Sequence, residues 1–398
     1  MTKRAWIRPA RNQNIPTALV QGLYWAMIAA FFAFINAYLL EVGYNDVQIG
    51  WISTIMYLVS TVAGPLAGYI TDVYVPARRY LCWVFIASVP FVLLVPAVHA
   101  SFAALAACVV AVAILQNISC GVLDSWIMRI RSMKGKDISF PLTRCGGSIL
   151  YSLTALTIGH LITSLGYPVM FVSSLILVAA TVLAMQFLEP VGCPGRDESR
   201  GENIRFGEAL RQLLHCREYV IFIAASVFFL YALRVVLVFL PNLYFAIGGD
   251  AADVGKANAI SSSLEIPFIL MMLKPEKFAK TKLCLASFLL GGCKTLTMLL
   301  FPTVGAYLAA NVFQGISYGF QIAFSVFYIQ KITPPKLYAT ATMIYTTANV
   351  GLGCMFGSLT GGYMLARSPQ LLLAVSTACM VLSAAVFALT FIKPKKEA

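Results

Sequence analysis

Five ionisable side chains, Asp124, Arg144, Arg234, Glu265 and Lys294, interrupt stretches of this chain that are otherwise apolar enough to cross a bilayer. An ion at bilayer depth costs roughly 2.5–3.5 kcal/mol on insertion scales, so such a residue faces a partner or a watery cavity. Arg234 and Glu265 fall near the middle of their spans, and Lys294, about 12 residues beyond Lys282, lies roughly 18 Å deep at 1.5 Å per residue. Asp124 and Arg144 lie nearer one end of theirs. A carboxyl in low dielectric exchanges a proton near neutral pH, which makes Glu265 the first candidate for proton coupling and Asp124 the second. An acid and a bidentate arginine beside Tyr151 can accept from and donate to hydroxyls while the ring meets the apolar face of a sugar, so Asp124, Arg144 and Tyr151 are candidate solute ligands.

Helical spacing selects the neighbours that share a face with each charge. Gln116 and Cys120 align with Asp124, and Ser148 and Tyr151 with Arg144. Tyr231, Val238 and Asn242 align with Arg234, and Asn258 and Ser261 with Glu265; Gln314, Tyr318 and Gln321 form one stripe, Tyr345 and Asn349 another. Arg234, Lys294, Gln314, Gln321 and Asn349 join the candidate solute-binding set. The competing reading of the neutral polar residues is interhelical glue.

With 60% hydrophobic and 11% charged residues over 398, the composition excludes a soluble domain. Runs of about 20 apolar residues separated by short polar hinges predict an all-α polytopic membrane protein of twelve transmembrane helices. The expected spans are 15–40, 47–71, 79–98, 102–127, 141–164 and 168–188, then 218–246, 256–273, 283–301, 305–330, 338–366 and 370–392. Domains follow at 1–188 and 218–398, two six-helix bundles. Between them lies a cytoplasmic linker, 189–217, with a mixed charge run at Arg196, Asp197, Glu198 and Arg200. Its later part places Phe206, Leu210, Leu213 and Leu214 at helical spacing, which reads as a short amphipathic helix on the membrane surface.

The net charge of +13 would suit nucleic acid, but its placement argues against that partner. Lys3, Arg4, Arg8 and Arg11 precede the first span; Arg78 and Arg79 follow the second; Arg129, Arg131, Lys134 and Lys136 follow the fourth. Lys274, Lys277, Lys280 and Lys282 follow the eighth, Lys331 and Lys336 the tenth, and Lys393, Lys395 and Lys396 the last. The opposite loops carry little beyond Lys256 and Arg367, so the positive-inside rule puts both termini in the cytoplasm, with the protein in the cytoplasmic membrane. The first apolar segment is too long for a removable signal. Ten cysteines lie scattered without metal-ligand spacing, so no metal or other cofactor is expected.

The two halves repeat each other. Gln116-Asn-Ile-Ser-Cys-Gly121 in span four reappears as Gln314-Gly-Ile-Ser-Tyr-Gly319 in span ten. Ser60, Pro65, Arg78, Leu81 and Cys82 fall in register with Ser262, Pro267, Lys280, Leu283 and Cys284. Duplicated halves with a site near the midplane are typical of secondary transporters.

Gly64-Pro-Leu-Ala-Gly-Tyr-Ile-Thr-Asp72 followed by Arg78 and Arg79 resembles the signature between helices two and three of the major facilitator superfamily. Val73 replaces its usual basic residue, and the arginine pair comes about two residues late. The resemblance implies a gating role for Gly68, Asp72, Arg78 and Arg79, the acid and the basic pair forming a latch remade as the halves rock. A closer resemblance, to lactose-permease-like oligosaccharide and nucleoside:proton symporters, rests on Asp124, on Arg144-Cys-Gly-Gly147-Ser-Ile-Leu-Tyr151, on Glu265, on Lys294 and on Pro334 to Tyr345. It implies the major facilitator fold, two pseudo-symmetric bundles, and proton-coupled alternating-access transport of a sugar or nucleoside-like solute. Span ten departs from that pattern, with Gln314, Ser317 and Gln321 where the permease has a His and a carboxylate. Arg234 stands where its helix seven is acidic, and Gly353 near its helix-eleven Lys. The permease's proton machinery therefore does not carry over intact.

Two alternatives remain open: symport of an organic anion, which the formal excess of one positive charge allows, and proton-driven export. Span five has no internal proline of the Gly-Pro-Gly-Gly kind usual in exporters. His99, His160 and His215 are too scattered for a catalytic or ligand set, so no enzyme is expected. No Gly-x-x-x-x-Gly-Lys loop is present, so transport would be gradient-driven. The expected partners are a small-molecule solute, protons and the lipid bilayer, with the protein acting as a monomer.

Overall fold

The computed structural model describes residues 13–133, 138–193, 206–271, 281–334 and 337–391. The basic residues expected at 3–11, Lys134, Lys136, Lys274, Lys277, Lys280, Lys336 and 393–396, and the linker charges at 196–200, lie outside the described residues. Within them the apolar runs form helices α1 (Asn14–Glu41), α2 (Asp46–Val73), α3 (Ala77–Leu94), α4 (Phe102–Ser132), α5 (Phe140–Leu165) and α6 (Pro168–Phe187). The short helix Phe206–His215 comes next. Then follow α7 (Arg217–Val238), α8 (Ala251–Met271), α9 (Thr281–Leu300), α10 (Val304–Ile332), α11 (338–365) and α12 (Pro369–Phe391). Ten of these are long and apolar enough to cross a membrane. Helix α8, which carries Asp253, Lys256 and Glu265, and the glycine-rich α11 complete the twelve.

The ends of the helices follow from local chemistry. Thr303 and Ser368 cap α10 and α12 by accepting from the backbone N–H of Ala306 and Leu371 at 3.3 and 3.1 Å. Pro168 and Pro369 sit in first turns, where their missing N–H costs nothing. Helix α5 stops at Gly166, whose φ of 82° suits glycine.

Two helices contain π-helical turns, Ala113–Asn117 in α4 and Ala348–Cys354 in α11. Such turns release carbonyls from the helical ladder and often mark functional sites. At the turn in α4, the carbonyls of Gln116 and Asn117 accept from the fully buried Tyr24 of α1, at 3.1 and 3.2 Å. That pins α1 against α4.

The chain packs as two compact units. Among the described residues, the first takes 13–44, 58–133, 138–193 and 249–266, and the second takes 45–57, 206–248, 267–271, 281–334 and 337–391. These units and the chain-order domains expected from sequence are different partitions. The start of α2 packs with the second-half helices, and most of α8 with the first-half helices.

Small residues explain both exchanges. In the first unit α5 meets α8 so closely that a Cβ added at Gly159 would lie 2.7 Å from the Ala251 carbonyl oxygen, and one at Gly255 would collide with that of Ala155. Thr163 on α5 accepts from the Ala252 backbone N–H at 3.1 Å and donates to Asp250 at 3.3 Å. In the second unit, a Cβ at Gly50 on α2 would lie 2.8 Å from the Ser358 carbonyl oxygen on α11, and one at Gly362 2.7 Å from that of Asp46. Asn242 donates to the Asp46 carboxylate at 2.6 Å. Backbones in such contact gain dispersion energy that any side chain would forfeit. Gly255→Val is therefore expected to cost about 1–3 kcal/mol, read as a lower melting temperature in detergent. Gly68→Ala, with nothing within 4 Å of the added carbon, should leave it unchanged.

Each unit has an aromatic core. In the first, Tyr24 stacks on Phe85 and Trp126 donates its indole N–H to the Glu189 carbonyl at 3.1 Å. In the second, Phe222, Phe324, Tyr328 and Phe387 interlock. The short helix Phe206–His215 tucks Leu213 into this second core while Leu214 stays exposed.

Candidate functional site

In the first unit α1, α4 and α5 bring together a cluster of polar and aromatic groups at the expected positions. Gln21 Nε2 donates to Asp124 Oδ1 at 3.0 Å. The Cys120 thiol, one turn before Asp124, lies 3.8 Å from Asp124 Oδ2 and 3.9 Å from the Arg144 guanidinium, which is its donor. Arg144 sits 4.6 Å from the centre of the Trp25 ring, a cation–π contact, and Tyr151 meets the same indole edge-on at 6.3 Å between centroids. Acid, guanidinium and two aromatic rings, Tyr151 from the sequence reading and Trp25 from outside it, thus lie together. The arrangement can hold a polar solute through charge-assisted hydrogen bonds with an apolar ring face alongside.

Glu265 stands half-buried on α8 in the same unit, two residues before Pro267. That proline removes a helical N–H and leaves a carbonyl one turn earlier without its intrahelical donor.

The second unit holds the other candidates. Arg234 on α7 donates to the Tyr318 hydroxyl at 3.4 Å, lies 5.9 Å from that ring's centroid, and also hydrogen-bonds Tyr57 and Cys354. Lys294 is 1% exposed, with its Nζ donating to Gln314 on α10. Gln321 donates to Ser226 at 3.3 Å and accepts from the Cys284 thiol at 3.6 Å. Asn349, 1% exposed in the π-helical segment of α11, has neither amide atom hydrogen-bonded. A buried amide in that condition calls for a water or a solute.

The residues expected at the gate take other partners. Asp72 forms an ion pair with Arg129 at the end of α4, and Arg78 donates to Gln186 on α6. Arg79 is exposed, and Gly68 borders open space. Arg129, read from sequence as an orientation charge, is thus the structural partner of the motif's acid.

Sequence reasoning missed Gln21 and Trp25, both on α1. The available signal was their i, i+4 spacing in an apolar span. A second signal was Gly147: a Cβ there would lie 2.6 Å from Trp25 Cδ1, so the glycine makes the seat for the indole.

The MFS_1 like family matches this chain over residues 19–389. The maltose permease of Geobacillus stearothermophilus is 26% identical over 375 residues, 91% of this chain and 90% of that protein. The uncharacterized transporter YwbF of Bacillus subtilis (strain 168) is 28% identical over 269 residues, 64% of this chain and 62% of that protein. Among solved structures, the nucleoside transporter NupG superposes with a TM-score of 0.78 at 15% identity, and an aspartate-to-alanine mutant of it with 0.82 at 14%. Both superpositions cover 96% of this chain and 100% of the other. The likeness shows the fold: twelve helices in two pseudo-symmetric six-helix bundles.

Proposed function

This chain belongs to the MFS_1 like family and is a multi-pass transporter of the major facilitator superfamily, and from that premise we propose that it moves a small polar solute, a sugar or nucleoside, across the cytoplasmic membrane by proton-coupled alternating access. The observation that carries the reading is the convergence of Gln21, Cys120, Asp124, Arg144, Trp25 and Tyr151 within the first unit. A carboxylate and a guanidinium at membrane depth are retained at a cost, and a sugar ring uses both. The names of the relatives agree in kind: one is a maltose permease, another a nucleoside transporter.

Asp124 is engaged by Gln21 and Cys120 and lies in the field of Arg144, which suits it to holding solute. Proton coupling falls to Glu265. Arg234, Lys294, Gln314, Gln321 and Asn349 contribute further solute contacts, Gly68, Asp72, Arg78 and Arg79 belong to the gate, where Arg129 rather than the arginine pair holds the acid in this conformation, and both termini lie in the cytoplasm.

Symport of an organic anion has one observation in its favour. Lys294, fully buried, has a neutral amide for its hydrogen-bond partner rather than a carboxylate. An imposed pH gradient across proteoliposomes separates the readings. Uptake of labelled maltose or uridine that is competed by neutral sugars or nucleosides and not by sugar acids supports the first. Competition by carboxylates alone supports the second. In weak buffer, alkalinisation outside the vesicles on solute addition marks symport, and acidification marks export by exchange.

A further inference from the structure

One face of α1 carries two buried polar atoms with complementary needs. Gln21, 1% exposed, spends its amide N–H on Asp124, and its Oε1 is buried with no donor. One turn on, Trp25 Nε1 is buried with no acceptor. Residues spaced i, i+4 are neighbours on a helix surface, so an acceptor without a donor and a donor without an acceptor share one face of α1 a single turn apart. Buried polar atoms in native proteins are paired, with protein, water or ligand.

Both side chains are held in place. Asp124 tethers Gln21. The indole is fixed by Arg144 at 4.6 Å from its ring centre, by the edges of Tyr24 and Tyr151, and by the empty seat at Gly147, where a Cβ would lie 3.3 Å from Nε1. These contacts hold both side chains, so the pair is preorganised for something that arrives.

The chemistry of the arriving group follows from the pair. A hydroxyl accepts from the indole N–H and donates to Gln21 Oε1 in one stroke. A carboxylate accepts but has no proton to give, and Asp124 stands beside it. An ammonium donates but cannot accept.

We propose that Gln21 and Trp25 form a hydroxyl-reading pair on α1 that, beside Asp124 and Arg144, recognises a neutral ring alcohol of the solute and so sets specificity for a sugar ring. The assignment rests on the transport reading above.

The test is calorimetric binding of maltose, glucose, uridine and adenosine to purified full-length protein and to Trp25→Phe, which removes the N–H and keeps a ring over Arg144. The tightest of these probes is then compared with its monodeoxy analogues. The dissociation constant of that probe should rise roughly two- to fifteenfold in Trp25→Phe, the value of one hydrogen bond. One monodeoxy analogue, lacking the hydroxyl that the pair reads, should bind the two proteins equally. Wild-type affinity in Trp25→Phe overturns the proposal, because a water alone then fills the gap. An equal loss for the parent probe and every deoxy analogue also overturns it, because the indole then only packs. Binding of none of the four probes to the wild type overturns instead the solute class on which the proposal rests. Unchanged melting shows that the variant is folded; should Trp25→Phe not fold, Gln21→Met removes the acceptor along with the bond to Asp124, and the readout is then the preference for the parent probe over that monodeoxy analogue, which shrinks if the pair reads the hydroxyl and overturns the proposal if it does not.

Discussion

Replacing Arg144 with lysine should lower solute uptake roughly a hundredfold while leaving the protein folded and inserted. The charge survives the change, so the loss isolates what the guanidinium does by shape. In the structure it lies over the Trp25 ring and donates to the Cys120 thiol that in turn meets Asp124. A planar fork can stack and bond at once; an ammonium is a strongly hydrated point charge that cannot. Losing the stacking costs about 0.5–2 kcal/mol, and losing a hydrogen bond to a charged group about 1.5–3 kcal/mol. Together these correspond to roughly thirty- to several-thousandfold at about 1.4 kcal/mol per decade. Arg144→Ala should be worse, since it removes the stacking, the bond to Cys120 and the positive charge beside Asp124 together. Initial rates of labelled-solute uptake, normalised to inserted protein, measure both. Uptake by Arg144→Lys within threefold of the wild type would show that Arg144 serves only as a charge.

The physical basis of that site was largely legible in the sequence, because charge in an apolar span is expensive and therefore conspicuous. Asp124, Arg144 and Tyr151 stood out on that ground, and helical spacing placed Cys120 on the face of Asp124, where the structure finds its thiol. Gln21 and Trp25 did not stand out. Neutral residues in an apolar helix carry no such cost, and their importance comes from what α4 and α5 present to them. Gly147 looked like a fragment of a family motif; its work as the seat of the indole depends on the close approach of α1 and α5.

Charges at the membrane surface were legible only in sign. Arg129 served the orientation argument, yet its side chain is the one that pairs with Asp72, because the ends of α2 and α4 are neighbours in the first unit. The π-helical turns were invisible for a different reason. An inserted residue turns the hydrophobic face by about 100°, but these segments lie in spans apolar on most sides, so the change of phase leaves no mark in the pattern. The split of α2 and α8 between packing units likewise depends on Gly50, Gly159, Gly255 and Gly362. Their spacing alone does not say which helix each will meet.

Glu265→Gln should bring the steady-state accumulation of solute down to equality with the outside, whatever pH gradient is imposed, while solute exchange at equilibrium continues within a few-fold of the wild type. Each transported proton contributes about 1.4 kcal/mol per pH unit of gradient, a tenfold concentration ratio. A symporter moving one proton per solute therefore accumulates up to roughly a hundredfold across two pH units, and a variant that carries none accumulates nothing. Glutamine keeps the size and the hydrogen-bonding capacity of the side chain and removes only the exchangeable proton. Asp124→Asn is the informative contrast. Asp124 accepts from Gln21 and lies beside Cys120 and Arg144, so if it holds solute as proposed its neutralisation should depress exchange and accumulation together. A Glu265→Gln protein that still concentrates solute against a gradient would move the coupling role to another group, and Asp124→Asn with intact exchange but no accumulation would identify that group as Asp124.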